Sequence, residues 1–230
     1  GQTRLELLEK NGAIVERIVD DIVRRDSPAV LVVVSNPVDI MTHVAIRASG
    51  WDRRRILGSG TVLDSSRLRH LLSTFCKVDV HNVHAYMLGE HGDSEFAAWS
   101  MTHIGGVPID AFCRECIDAQ DWATQRDRIE QRVRDSAYHV IGYKGATWFA
   151  VGMALVRIVG AILRDEHSVL TVSTLMSGQF GLDDVCLSVP TVVAADGITA
   201  TIHCDLSEHE TALLTRSATQ LQESAAGLMG

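Results

Sequence analysis

A run of six apolar residues, Ala29-Val30-Leu31-Val32-Val33-Val34, constrains the fold of this chain more than any other segment. An unbroken β-branched stretch without polar alternation predicts a strand covered on both faces, the environment of a parallel sheet flanked by helices. The flanking sequence agrees. Before the run, Leu5, Leu8, Ile14, Ile18, Val19 and Ile22 recur at near-helical spacing and predict a helix over 5–25. After it, Ser35-Asn36-Pro37 ends the strand, with Asn36 as N-cap and Pro37 in the first position of a helix over 38–48. Helix, strand, turn and helix make half of a βαβ pattern, so the fold class expected is α/β.

A second short strand over 55–57 leads through Gly58-Ser59-Gly60 into a helix over 63–75. The glycine pair lacks the third glycine of G-x-G-x-x-G, where Leu63 stands, and so reads as a tight strand-to-helix turn rather than a self-contained phosphate loop. Strand-like segments follow over 83–88 and 97–104, then helices over 121–143 and 147–163. Beyond them the character changes. Segments 169–174, 185–194 and 198–204 read as antiparallel strands with Asp196-Gly197 as a hairpin turn, and Ser207-Glu208-His209-Glu210 is a capping box opening a terminal helix.

At 230 residues and 46% apolar content the chain can bury one large core or two small ones. A net charge of -8 argues against a nucleic-acid or anionic-membrane partner, because Arg53-Arg54-Arg55, a solvated surface corner, is the densest basic cluster. Five scattered cysteines fit a reducing compartment, and the cytoplasm is expected. Cys113 and Cys116 form a CxxC with no second pair or paired histidines to complete a zinc site, so no metal is expected. The longest apolar segment, 148–163, is interrupted by Arg157 and is short for a bilayer span.

Chemistry concentrates in Gly89-Glu90-His91-Gly92-Asp93-Ser94, where an imidazole lies between a carboxylate and glycine. Histidine is the side chain whose ordinary pKa lies nearest neutrality, so a small push makes it a general acid or base. Asp64 and Arg67, three apart on one helix, share a face, while Arg69 is rotated roughly 200° from Arg67 and must serve other surroundings.

Ser35-Asn36-Pro37-Val38-Asp39, Gly58-Ser59-Gly60-Thr61-Val62-Leu63-Asp64-Ser65-Ser66-Arg67 and the stretch around His91 together resemble the successive signatures of the L-lactate/malate dehydrogenase family. The likeness extends through Lys144-Gly145-Ala146-Thr147 and Asp183-Asp184-Val185-Cys186-Leu187-Ser188-Val189-Pro190. It is nearest to the bacterial L-lactate enzymes, since malate enzymes typically carry a second glycine where this chain has Glu90. The resemblance implies the C-terminal part of a Rossmann dinucleotide-binding domain over 1–58, followed by an α+β catalytic domain with antiparallel strands over 59–230. It implies NAD as cofactor and lactate and pyruvate as substrates. His91 is then the base that takes the hydroxyl proton, with Asp64 fixing its tautomer and raising its pKa. Arg67 grips the substrate carboxylate, and Arg4, on a lid, polarises the carbonyl. Asn36 orients the substrate oxygen, Ser59 and the Val34 carbonyl contact the nicotinamide carboxamide, and Thr147 borders the ring. Arg69 and His84 match the fructose 1,6-bisphosphate site that some bacterial members form between subunits, and a homotetramer is implied.

The resemblance begins in mid-domain, with Gly1 rather than Met at the first position. An N-terminally incomplete chain is therefore expected, without the glycine-rich loop and most of the specificity lid, and inactive by itself. Two other readings stay open: a malate or other L-2-hydroxy acid dehydrogenase, and a non-catalytic assembly or regulatory subunit. The joint presence of His91, Asp64, Arg67, Asn36 and Arg4 favours the enzyme, since a scaffold needs none of them.

Overall fold

The computed structural model describes residues 4–117, 121–144 and 148–226, apart from the side chains of 4–7 and 137–144. Helix α1 (Arg4–Val23) leads into β1 (Leu31–Val33) and α2 (Val38–Ser49), and β2 (Ile56–Gly58) feeds α3 (Val62–Cys76). Five two-residue strands come next: β3 (Val83–His84), β4 (Met87–Leu88), β5 (Phe96–Ala97), β6 (His103–Ile104) and β7 (Val107–Pro108). Helices α4 (Ile109–Glu115), α5 (Trp122–Lys144) and α6 (Trp148–Leu163) precede β8 (Ser168–Leu170), β9 (Ser173–Ser177), β10 (Asp183–Ser188), β11 (Thr191–Ala194) and β12 (Gly197–Thr201). Helix α7 (Glu208–Ala225) ends the described chain behind the expected capping box, with Ser207 and Glu210 each bonding the other's backbone.

The central sheet has the order β1-β2-β9-β10. Strands β1 and β2 pair in parallel, with Val33 opposite Gly58, as the apolar run predicts. Among the described residues Val33 is buried and Leu31 and Val32 are half-buried, with β1 at one end of the four-strand order. Strand β9 joins antiparallel through Gly58 and Ser173, so the sheet is mixed.

The two segments expected as single strands over 169–174 and 185–194 each break in the middle. Strand β8 pairs with β11 in a second sheet, while β9 pairs with β10 in the first. The chain changes sheet at Thr171-Val172 and again at Val189-Pro190, where proline has no N–H for the ladder. The predicted hairpin at Asp196-Gly197 is present, with Ala194 opposite Gly197. Likewise 83–88 and 97–104 are interrupted strands, the latter by a 3-10 turn over Trp99–Met101.

Helix α2 lies between α1 and the sheet. Its Ile40, Met41 and Ala45 join Leu8 and Val19 of α1, Cys186 and Leu187 of β10, and Leu214 and Leu221 of α7 in one core. Each fully buried aliphatic side chain here contributes about 1.5–3 kcal/mol. Asn36 is not the N-cap of α2. Pro37, in extended conformation at φ -69° and ψ 116°, holds that place without a side-chain cap, so the helix starts at Val38. The Asn36-Pro37 bond is cis.

The glycine pair does turn the chain tightly. Gly60 has φ +50°, and a Cβ there would meet the Ser173 amide and the Ser188 hydroxyl, each at 2.5 Å. Thr61 fastens the same turn, donating its amide to Thr171 O at 3.1 Å and its hydroxyl to Met87 O at 2.6 Å. The turn thus packs against protein and aims α3 at the loop between β4 and β5. Of the arginine corner, Arg54 pairs with Asp52 in solvent, whereas Arg55 bonds the Ser27 and Ala29 carbonyls and stacks on Trp51.

Candidate active site

The loop carrying His91 is held at both ends. Strands β4 and β5 pair at its base, Leu88 opposite Phe96. Gly89, at φ +94°, exchanges both backbone hydrogen bonds with Ser188 of β10, at 3.0 and 2.8 Å. The Ser217 hydroxyl on α7 accepts the Glu90 amide at 2.7 Å and lies 2.9 Å from Ser94 Oγ, which bonds Glu90 Oε2 at 2.5 Å. The Glu90 side chain is thereby folded back onto its own loop. An added Cβ on Gly89 would meet Ser217 Oγ at 2.8 Å, so this position needs glycine for both conformation and space.

Asp64 sits in the first turn of α3 and is 3% exposed. Its Oδ2 lies 2.9 Å from His91 Nδ1, and its Oδ1 accepts a 2.9 Å hydrogen bond from Arg67 Nη1. The i,i+3 spacing therefore does place both groups on one face, and the pair is largely sheltered rather than solvated. Helix α2 supplies another contact: Asp39, 2% exposed, accepts the His91 amide through Oδ2 at 2.8 Å.

Opposing influences act on the imidazole. Burial pushes its pKa down, but Asp64, by direct contact and charge, and Asp39, by charge, outweigh burial and the Arg67 cation and leave it above the ordinary histidine value. Burial raises the Asp39 carboxyl to about 6. Glu95, also buried, is raised well above the usual carboxylate range by burial and by the charge of Asp64. Arg134 of α5 bonds the Glu95 carbonyl at 3.2 Å and Glu130 at 2.5 Å. Ligand atoms of Asp64, His91 and Glu95 lie within 4.8 Å of one another. With Nδ1 turned to Asp64, Nε2 is the ring atom left for exchange with a substrate, the arrangement of an oriented acid–base histidine.

The residues expected to meet the nicotinamide stand at the carboxyl ends of the two parallel strands. The Ser59 amide donates to Val33 O at 2.9 Å, which joins the β1–α2 and β2–α3 turns side by side. Val34 and Ser59 are half-buried and Asn36 is exposed, its carbonyl accepting from Asn11 at 3.4 Å. Ligands of open α/β sheets bind at this edge, and an exposed amide beside a half-buried hydroxyl and carbonyl suits a carboxamide-bearing ring, so these residues fit the cofactor expected there.

Not every expected residue belongs to this cluster. Arg4 opens α1, with a side chain outside the described residues, and Thr147 lies outside them altogether. Arg69 faces away from Arg67, bonding Ser66 Oγ at 3.0 Å, and burial lowers its pKa. His84 is exposed on β3, a strand that packs against α3. Cys113 is buried beside Cys76, and Cys116 is exposed.

Asp39 and Glu95 were not singled out by the sequence reading, although each carries a signal. Asp39 interrupts the apolar inner face Val38-Asp39-Ile40-Met41, and Glu95 precedes the buried Phe96-Ala97-Ala98. Asp and Glu are almost never fully buried unless paired, so a charge embedded in a buried run is informative.

The chain matches two family profiles: residues 1–58 match the lactate/malate dehydrogenase NAD binding domain, and residues 61–227 its alpha/beta C-terminal domain. An L-lactate dehydrogenase of Treponema denticola is 52% identical over 224 residues, 97% of this chain and 71% of the relative. One from Acetivibrio thermocellus is 47% identical over 97% of this chain and 70% of its own length. Among solved structures, a lactate dehydrogenase enzyme from a Medee basin deep-sea metagenome library superposes with TM-score 0.96 at 38% identity, over 100% of this chain and 73% of that one. The minor L-lactate dehydrogenase of Enterococcus mundtii, in its ligands-bound form, gives 0.93 at 37% identity over 98% and 71%. By sequence, fold and the two profiles, the chain belongs to the lactate/malate dehydrogenase family.

Proposed function

We propose that the enzyme containing these residues catalyses the reversible, NAD-dependent interconversion of L-lactate and pyruvate. One observation carries this reading: Arg67, Asp64 and His91 form a continuous row, with both polar contacts at 2.9 Å, at the carboxyl edge of the parallel strands. Such a row joins a carboxylate binder to an acid–base group, the two functions that a 2-hydroxy acid needs in neighbouring places.

Arg67 carries five N–H donors, so one bond to Asp64 leaves others for the substrate carboxylate. In pyruvate reduction Nε2 of the His91 imidazolium gives its proton to the carbonyl oxygen, and in lactate oxidation neutral His91 takes that proton back. Asp64 on Nδ1 fixes the tautomer and stabilises the imidazolium. NAD supplies the hydride acceptor or donor. Val34, Asn36 and Ser59 would hold its nicotinamide end, with Thr147 at the ring, Asn36 also orienting the substrate oxygen and Arg4 polarising the carbonyl. In this reading residues 1–58 form the nucleotide-binding part and 59–230 the substrate domain.

We further propose a cytoplasmic homotetramer activated by fructose 1,6-bisphosphate at Arg69 and His84. Trp148 and Phe149 on α6 are 80% and 85% exposed, with Met153, Val156 and Leu163 on the same helix also outward, and a face of that kind supports assembly. No helix among the described residues is long and apolar enough to cross a membrane.

A 2-oxo acid panel tests the substrate. With the full-length enzyme and NADH, the highest kcat/KM is expected for pyruvate; a tenfold preference for oxaloacetate or a branched 2-oxo acid would overturn the lactate assignment, and no reduction of any of them would overturn the enzyme reading.

A further inference from the structure

We infer that His91, Asp64 and Glu95 form an inhibitory site for a zinc ion, which on binding stops proton exchange at His91. The inhibition rests on the acid–base role proposed for His91, whereas the binding of the ion does not.

Two observations point to a cation. Ligand atoms of the three side chains lie within 4.8 Å of one another, and one imidazole with two carboxylates is a donor set that suits zinc. The second observation is the state of Glu95. It is 5% exposed, its carboxyl reaches into the cluster, and its Oε2 has no hydrogen-bond partner among the described residues. Arg134 of α5 does not pair with that carboxyl; it bonds the Glu95 carbonyl at 3.2 Å and Glu130 at 2.5 Å. A buried carboxylate without a cation in contact is costly, and an ion held between it and Asp64 removes that cost.

Little has to move. Zn–N and Zn–O distances of about 2.0–2.1 Å set tetrahedral ligand atoms roughly 3.3 Å apart. His91 Nδ1 and Asp64 Oδ2 stand at 2.9 Å, so they part by only a few tenths of an ångström. Glu95 closes by about 1.5 Å at most, a distance its side-chain torsions can cover. Asp64 keeps its other oxygen on Arg67 at 2.9 Å, leaving Oδ2 for the ion. The cluster is sheltered except on the His91 side, where the side chain is 29% exposed, and this opening admits the ion and a water for its fourth position. Asp39 and Glu130 add negative charge around His91 and Glu95, against the cations of Arg67 and Arg134. Zinc takes the place of the Nδ1 proton, which leaves to solvent. Nε2 then keeps its own proton: it cannot accept the hydroxyl proton of lactate, and donating to pyruvate would leave an imidazolate, so both directions stop.

The full-length enzyme, freed of metal with a chelator, is titrated with Zn2+ and, as a control, with Mg2+, which demands octahedral oxygen ligation. Calorimetry should show one Zn2+ bound per subunit, Co2+ in its place should give the visible absorption of a tetrahedral site, and pyruvate reduction should be lost to micromolar Zn2+ and restored by EDTA; Mg2+ should neither bind there nor inhibit. In Glu95→Gln the zinc inhibition constant, read against that variant's own metal-free rate, should rise by at least about tenfold. In Cys116→Ser, which removes an exposed thiol that could also take zinc, it should stay the same. An unchanged constant in Glu95→Gln, or inhibition abolished in Cys116→Ser, overturns the site. Should Glu95→Gln fail to fold, the unsubstituted enzyme and His91→Asn decide: no stoichiometric Zn2+ binding to the first, or binding equally tight in the second, overturns the inference. An enzyme that binds Zn2+ through these residues yet never reduces pyruvate would remove the proposed activity and leave the metal site standing.

Discussion

His91 Nδ1 and Asp64 Oδ2 stand 2.9 Å apart, and this contact decides which imidazole nitrogen can meet a substrate. Since the histidine pKa is raised, the imidazolium survives to higher pH than in an isolated side chain. Pyruvate reduction is therefore expected to persist up to the raised pKa and fall above it, with lactate oxidation rising over the same interval. Replacing Asp64 by Asn should shift both limbs to lower pH and reduce kcat by about a thousandfold through loss of the oriented tautomer. Steady-state rates across pH in both directions check this.

Arg67→Lys keeps the positive charge and removes the planar fork. Because a lysine ammonium cannot make two parallel bonds to a carboxylate, kcat/KM for pyruvate is expected to fall by about a hundredfold or more, chiefly through KM. The affinity for NADH, measured by fluorescence quenching, should change little. An equal loss in NADH binding would place Arg67 in another role.

Gly60→Ala tests the turn that aims α3. The new methyl would sit 2.5 Å from both the Ser173 amide and the Ser188 hydroxyl at a φ of +50°, so something must move. A loss of about 2–4 kcal/mol in unfolding free energy is expected, read from urea denaturation at constant m. An unaffected midpoint would mean that the β2–β9 junction is looser than the structure shows.

Arg69→Gln and His84→Ala address the effector reading. Both positions lie away from the His91 row, so each variant should lose activation by fructose 1,6-bisphosphate while keeping unactivated turnover. Activation curves that coincide with those of the unsubstituted enzyme would remove the site.

Much of this was legible because local signals and tertiary demands coincide. The apolar run over 29–34, the capping box at Ser207-Glu210 and the Asp196-Gly197 hairpin turn each carry their own physics, and each appears where the sequence places it. Asp64 and Arg67 were readable as neighbours from helical spacing alone. The contact of Asp64 with His91, 27 positions later, needed the family resemblance, since no periodicity connects a helix to a distant loop. The sheet changes at Thr171-Val172 and Val189-Pro190 escaped because both flanks look equally strand-like, and only pairing partners separate β8 from β9 and β10 from β11. Asp39 shows in the sequence only as a charge within an apolar run; its partner, a backbone amide, is announced by no side-chain pattern.

Exchange of His91 for Asn tests the central claim most directly. Asparagine fills similar space and leaves the Asp39 bond to the backbone amide, but it cannot carry a proton between states near neutrality. The account predicts that, in the full-length enzyme, NADH-dependent pyruvate reduction falls by at least about a thousandfold while NADH still binds. Turnover within about tenfold of the unsubstituted enzyme would contradict it, and the acid–base group would have to be sought elsewhere.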